Sequence, residues 1–159
     1  MEFPNRIYTT EEVKKARHLI EQGYKHIFKV EGSLLFRQKT IDAIKLINIA
    51  GYYDYLRTYI RLVKEIDGLT QLRQAEATVW ANKYTVENSV DAAGVFIQKA
   101  FAMEEFLEGK LYYGGMAEKR SCEKRMTFLK ALKTKTQDES VREECERILN
   151  LWREGSLVY

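Results

Sequence analysis

Proline is almost missing from this chain of 159 residues: Pro4 is the only one. A proline inside a helix removes a backbone hydrogen bond and clashes with the preceding turn, so the rest of the chain can form helices without interruption. Cysteine and histidine are also scarce, with two residues of each. Two cysteines do not make a disulfide framework, and we expect Cys122 and Cys145 to be free thiols in the core. His18 and His26 lack a metal-type spacing, so the sequence predicts no metal site.

Other signals are absent as well. No apolar stretch approaches the roughly 20 residues that a membrane span needs. The segment 1–6 has no apolar run of the secretory type. Gly114 and Gly115 lack the lysine and the preceding strand of a phosphate-binding loop, and no nucleophile elbow is present. These absences predict a cytoplasmic protein with no cofactor and no membrane association.

The composition is that of a globular protein. Hydrophobic residues make up 45% of the chain and charged residues 31%, and the net charge is +3. A charge this small neither requires nor excludes an anionic partner. The length matches one domain, and no linker divides the chain, so we expect residues 1–159 to form a single helical domain.

Apolar residues recur at helical spacing through most of the chain. This pattern predicts an all-α fold, an irregular bundle of about seven helices around a central apolar helix over 89–108. Its helix pairs lack the fixed positions of a solenoid repeat. The other helices are expected over 9–23, 33–51, 52–66, 69–84, 116–133 and 139–154.

Two segments decide the predicted architecture. Residues 90–107 are apolar around nearly the whole helix, interrupted in the middle by Gln98 and Lys99, which is typical of a central helix. Residues 24–30 alternate and are rich in strand-forming residues. They form either one short β element, paired with the head 3–8 or the tail 157–159, or an extended connector.

Glu76 is a weak candidate for a catalytic residue. On a helix over 69–84 it lies on the same face as Leu72, Val79 and Trp80. A carboxyl group desolvated against a tryptophan is suited to general-acid chemistry. The alternative is that a neighbouring polar group satisfies Glu76, or that it marks the edge of the apolar stripe.

A basic helix over 116–135 is a candidate for nucleic-acid contact. In nucleic-acid-binding proteins, clustered basic side chains contact the phosphates and neighbouring tyrosines stack on the bases. The alternative is a solvated face, neutralised in part by the acidic residues of the next helix. The candidate contact residues are Lys119, Arg120, Lys124, Arg125, Lys130, Tyr112 and Tyr113.

Tyrosine is abundant, with ten residues, and four of them are clustered near the start of the third predicted helix. Tyrosine is favoured at binding surfaces because it offers contact area at a small entropic cost. The cluster is either an interaction surface or a filler of the seam between two helices. It consists of Tyr52, Tyr53, Tyr55 and Tyr59.

These features predict a non-enzymatic helical protein-interaction module that self-associates, with a protein partner or a second copy as its ligand. The first alternative is a nucleic-acid-associated protein that uses the basic helix 116–135. The second alternative is a small-molecule-binding protein or enzyme with a buried carboxylate at Glu76.

Overall fold

Six α-helices and a four-stranded mixed sheet make up residues 2–155, the part of the chain that the computed structural model describes. About 60% of the protein is helical and 10% is strand, so the prediction of an all-α bundle of seven helices is wrong. The elements are α1 Thr10–Glu21, β1 Lys29–Glu31, α2 Leu34–Ile49, α3 Tyr53–Tyr59, β2 Leu62–Ile66, β3 Gln71–Arg73, a 3-10 turn Gln74–Glu76, β4 Thr78–Asn82, α4 Ser89–Leu107, α5 Gly115–Lys135 and α6 Glu139–Arg153.

The strands lie in the order β1-β2-β4-β3. β1 pairs with β2 and β2 with β4, both in parallel, and Val63 of β2 lies between Val30 and Val79. β3 pairs with β4 in antiparallel orientation, with Leu72 opposite Val79. Within the described residues β1 and β3 are therefore the edges of the sheet.

Two predicted helices are absent because the sheet takes their residues. The helix expected over 52–66 ends at Tyr59, and Leu62–Ile66 forms β2 instead. The helix expected over 69–84 is replaced by β3, the 3-10 turn and β4, and Ala77 adopts a left-handed conformation with φ +51° at the turn into β4. In apolar runs as short as these strands, the helical and strand periods are hard to distinguish, and pairing with distant strands decided between them.

The β element expected over 24–30 is present only at its end, where β1 covers Lys29–Glu31. Its partner is β2 and not the head 3–8. The head is nevertheless bound near the sheet, since the amide of Ile7 donates a 2.8 Å hydrogen bond to the carbonyl of Ala75. The other partner that the sequence offered, the tail 157–159, lies outside the described residues.

The apolar helix predicted over 89–108 is confirmed as α4, which begins after the cap residue Asn88. It packs against α2, α3, α5 and α6 and also contacts β3. Phe96, Ile97, Ala100 and Met103 are fully buried, so this helix lies in the main hydrophobic core. The helices expected over 116–133 and 139–154 are α5 and α6, with small shifts at their ends.

Cys122 and Cys145 are buried free thiols on α5 and α6, and the indole of Trp152 donates a 3.0 Å hydrogen bond to Sγ of Cys122. None of the helices in the described range combines the length and the hydrophobicity that crossing a membrane requires.

Candidate functional site

Two of the four clustered tyrosines bind a single carboxylate inside the fold. The hydroxyl of Tyr55 donates to Oε1 of Glu104 at 2.8 Å, and that of Tyr59 donates to Oε2 at 3.2 Å. Burial and then the nearby charge of Glu104 raise the pKa of both hydroxyls above the ordinary value for tyrosine. These contacts use the polar ends of both side chains to connect α3 with α4.

The other two tyrosines have different surroundings. The ring of Tyr52 packs edge-on against the buried ring of Phe128, with centroids 5.3 Å apart. Tyr53 packs against Phe28 and lines a surface groove described below. Of the predicted interaction surface, Tyr53 is therefore the member that the structure places at a candidate binding site.

Glu76 lies in the 3-10 turn before β4 and is partly exposed. Its backbone carbonyl accepts hydrogen bonds from Nε of Arg61 at 2.6 Å and from the hydroxyl of Thr78 at 3.0 Å. Residues 69–84 do not form a helix, so Glu76 does not share a helical face with Trp80 as predicted. The ring of Trp80 is covered by the guanidinium of Arg73, 4.2 Å from the ring centroid.

The basic residues of α5 are divided between the interior and the surface. Nε of Arg120 pairs with the buried Glu105 at 2.9 Å, and the buried Arg125 pairs with Asp91. The ammonium of Lys124 lies 4.7 Å from the ring centroid of Tyr55. Lys119 and Lys130 remain exposed, so these five side chains do not form one continuous surface.

An apolar groove runs along α2 at the β1 edge of the sheet, with a volume of about 600 Å³. We call it the α2 groove. Two of its apolar residues are unusually exposed, Leu34 at 64% and Ile41 at 47%. The lining residues are Phe28, Val30, Leu34, Arg37, Gln38, Ile41, Ile44, Lys45, Asn48 and Tyr53.

The start of α2 is fixed against the sheet by local contacts. The hydroxyl of Ser33 caps the helix by accepting from the amide of Phe36 at 3.2 Å, and the amide of Ser33 donates to Oε1 of Glu65 at 2.8 Å. Gly32 is required before this cap because a Cβ there would lie 2.7 Å from the ring of Phe36. The wall of the α2 groove is thus held by both β2 and the core.

A second, more polar cavity of about 460 Å³ lies between β3, α4 and α5. We call it the α4 cleft. α4 contributes a row of side chains along one of its faces, and Tyr112 and Tyr113 also line the cleft. The lining residues are Thr70, Gln71, Leu72, Thr85, Asp91, Val95, Gln98, Lys99, Ala102, Tyr112, Tyr113, Glu118, Ser121 and Arg125.

Charged groups of both signs line the α4 cleft. Burial lowers the pKa of Lys99, against the opposing influence of Glu118, and the charge of Arg125 lowers it further. Arg125 is only 5% exposed, and its Nε has no hydrogen-bond partner within the described part of the chain. Among residues 2–155, no three histidine, cysteine or carboxylate side chains lie close enough to hold a metal ion.

Sequence reasoning missed both cavities, although each left a signal. Leu34, which lines the α2 groove, adds an apolar residue to a face of α2 that a simple core stripe does not need. Lys99 interrupts an otherwise apolar helix. The comparisons add no assignment: no protein-family model, no curated protein and no solved structure matches this chain.

Proposed function

We propose that this chain is a non-enzymatic protein-interaction module whose α2 groove binds an amphipathic helix of a partner protein, with acidic residues on the partner's polar face. The observation that supports this function most directly is the exposed apolar surface along α2. Large apolar side chains that form a contiguous exposed groove are typical of interaction sites in soluble proteins. Leu34 and Ile41 are exposed apolar side chains of its lining.

The dimensions of the α2 groove fit a helix. Its lining residues on α2 extend from Leu34 to Asn48, which corresponds to about 21 Å at the rise of an α-helix. They recur every three or four residues, so the groove follows one face of α2 over about four turns. An amphipathic helix bound alongside would insert side chains at the same spacing, as helix-in-groove complexes do.

The charge of the rim favours an acidic partner. Of the described residues that line the groove, Arg37 and Lys45 are charged and none is a carboxylate. Within residues 2–155 neither side chain forms an ion pair, so both are available to a ligand. A second copy that presented the same face would bring like charges together, which opposes self-association through this groove. The predicted self-association is therefore not part of this proposal and stays a prediction.

Two display libraries of amphipathic helical peptides test the proposal. One library has acidic residues on the polar face of the peptides, and the other has basic residues there. The acidic library should yield binders. Ile41→Glu should weaken the binding of these peptides at least tenfold, about 1.4 kcal/mol, because it places a negative charge in the apolar lining of the groove. Ile49→Glu is the matched control, since Ile49 is exposed on α2 but does not line the groove.

Two results would contradict the proposal. The first is the absence of binders, or binders that tolerate Ile41→Glu as well as Ile49→Glu. The second is a concentration-dependent dimer in sedimentation equilibrium that Ile41→Glu dissociates, because the groove would then bind a second copy. The double variant Arg37→Glu/Lys45→Glu should shift selection towards the basic library, and an unchanged preference would contradict the acidic partner.

We also propose that the protein acts in the cytoplasm. The two buried free thiols support this location, because structural disulfides are typical of oxidising compartments and rare in the cytosol. Subcellular fractionation in the organism of origin tests the proposal, and recovery of the protein in a secreted or membrane fraction would contradict it.

A further inference from the structure

Lys99 is an unusual residue for its position. It lies on α4, the helix that is otherwise the most apolar of the fold, and it lines the α4 cleft. Within the described residues it forms neither an ion pair nor a hydrogen bond. Burying part of an ammonium group without a partner costs free energy. A methionine or leucine at this position would pack at a lower cost, so the charge itself needs an explanation.

The other charges of the α4 cleft, within the described residues, give Lys99 no direct ion pair. Asp91 is already paired with Arg125, whose side chain is 6% exposed. Glu118 is the other carboxylate in the lining, and it is exposed and lies beyond ion-pair distance of Lys99. The cleft thus contains one closed ion pair and one ammonium group that faces it without a direct counterion.

Polar groups that can orient a ligand line the α4 cleft together with Lys99. The amide nitrogen of Gln98 donates to the hydroxyl of Ser121 at 3.1 Å, which fixes the position of the Gln98 amide. On the opposite wall the hydroxyls of Thr70 and Thr85 lie 2.7 Å apart. Convergent polar groups of this kind are typical of binding pockets.

We propose that the α4 cleft binds the carboxylate group of a ligand, with Lys99 as its charged anchor. This site is independent of the α2 groove. A carboxylate carries one negative charge, which balances the single unpaired ammonium group. A phosphate carries nearly two negative charges, so Asp91 and Glu118 in the same cavity would repel it more strongly than a carboxylate. The ligand is either an organic acid or a peptide with a free carboxylate, since both supply the same group.

The test uses four probes in titrations of the ¹⁵N-labelled protein, followed by backbone amide shifts around the cleft. Acetyl-trialanine and hexanoate carry a carboxylate, whereas acetyl-trialanine carboxamide and hexanamide do not. We expect at least one acid to bind more tightly than its amide. Binding of acetyl-trialanine alone identifies a peptide ligand, and equal or better binding of hexanoate identifies an organic acid.

Variants of the cleft make the assignment specific. K99M should weaken the acid at least tenfold, whereas K119M, which removes an exposed lysine of α5, should leave its affinity unchanged. E118Q should tighten binding several-fold, because it removes the carboxylate that would repel the ligand. Thermal unfolding of each variant shows whether it is folded before it is titrated.

The proposal fails if neither acid shifts the amides of the cleft, or if each acid binds no better than its amide. It also fails if K99M and K119M reduce affinity equally, because the effect would then reflect net charge. Weaker binding by E118Q would show that Glu118 contributes to the site instead of opposing the anion, and would overturn the charge assignment.

Discussion

The hydroxyl of Tyr55 on α3 donates a hydrogen bond of 2.8 Å to Oε1 of Glu104 on α4, 49 residues further along the chain. The other oxygen of the same carboxylate accepts from Tyr59 at 3.2 Å. One carboxylate on the core helix therefore orients α3, the short helix that leads into β2. A hydrogen bond to a charged group is stronger than one between neutral groups, so this contact contributes to stability.

Tyr55→Phe should lower the free energy of unfolding by about 1–2 kcal/mol, because it removes a hydrogen bond to a partly buried carboxylate and leaves Tyr59 as its remaining tyrosine partner. Tyr59→Phe is the matched variant and should cost less, since its hydrogen bond is longer. Urea unfolding at pH 7 measures both values. Equal stability of Tyr55→Phe and the wild type, or a larger loss in Tyr59→Phe, would contradict the assigned order.

His26 should make stability depend on pH between about 4 and 6.5. Burial, and to a smaller extent the charge of Arg61, lowers the pKa of His26 to about 4. The ring is 3% exposed and packs edge-on against Phe3. The unfolded chain binds this proton near pH 6.5, so the stabilisation is complete above pH 6.5 and is lost as the pH falls towards 4. The loss should reach about 3 kcal/mol.

Denaturant unfolding at a series of pH values checks this expectation against His26→Phe, which keeps an aromatic ring and removes the titration. The difference in unfolding free energy between wild type and variant should change over that range and be flat above it. Carboxylates also titrate there, but they do so in both proteins. His18→Gln is the control for the removal of a histidine, because His18 is exposed on α1. A flat difference between pH 4 and 6.5 would refute the assignment.

The helices that the sequence predicted well are those whose signals are local. α1 has a reciprocal capping box between Thr9 and Glu12, and α4 has an asparagine cap and an apolar surface on nearly all sides. The strands depend on distant pairings. Val63 belongs to a strand because Val30 and Val79 lie on either side of it, and neither neighbour is visible in a window around residue 63.

The candidate sites were harder to predict for the same reason. The clustered tyrosines were predicted to be either an interaction surface or a filler between two helices, but Glu104, which binds Tyr55 and Tyr59, lies on another helix and is not visible from the cluster. Arg120 and Arg125 are members of a basic run in the sequence, yet each pairs with a carboxylate of α4. The α4 cleft depends on β3, which replaced a predicted helix. A charge pattern on one helix shows neither its partners nor the cavities that other elements complete.

Arg120 provides a test of whether the basic side chains of α5 stabilise the fold or contact nucleic acid. Nε of Arg120 pairs with Glu105, whose side chain is 3% exposed, and its Nη2 donates to the carbonyl of Leu111 at 3.0 Å. Arg120→Gln should lower the unfolding free energy by about 2–3 kcal/mol at pH 7, less than a fully buried pair because Arg120 is 41% exposed. Lys119→Gln, at an exposed neighbour, should have little effect.

The double variant Arg120→Gln/Glu105→Gln separates the loss of a counterion from the loss of packing. It should be more stable than Arg120→Gln alone, because no unpaired charge then remains buried. Thermal unfolding of the three proteins measures the order. If Arg120→Gln is as stable as Lys119→Gln, and it instead weakens salt-sensitive binding to single-stranded DNA, the arginine serves nucleic-acid contact and its structural role is refuted.

Gly94→Ala should destabilise the protein although it lies inside a helix. On helix propensity alone, alanine is about 1 kcal/mol more favourable than glycine. A Cβ at residue 94 would lie 2.9 Å from Nε and 3.0 Å from Cγ of Arg125, and this side chain is enclosed and paired with Asp91. Arg125 would have to move within a packed environment, so we expect a net loss of about 1–3 kcal/mol.

Gly115→Ala is the control, because a Cβ there meets no atom within 4 Å at the start of α5. Urea unfolding should rank Gly115→Ala at or above the wild type and Gly94→Ala below it. A Gly94→Ala protein as stable as the Gly115→Ala protein would show that packing against α4 does not fix Arg125 in the α4 cleft.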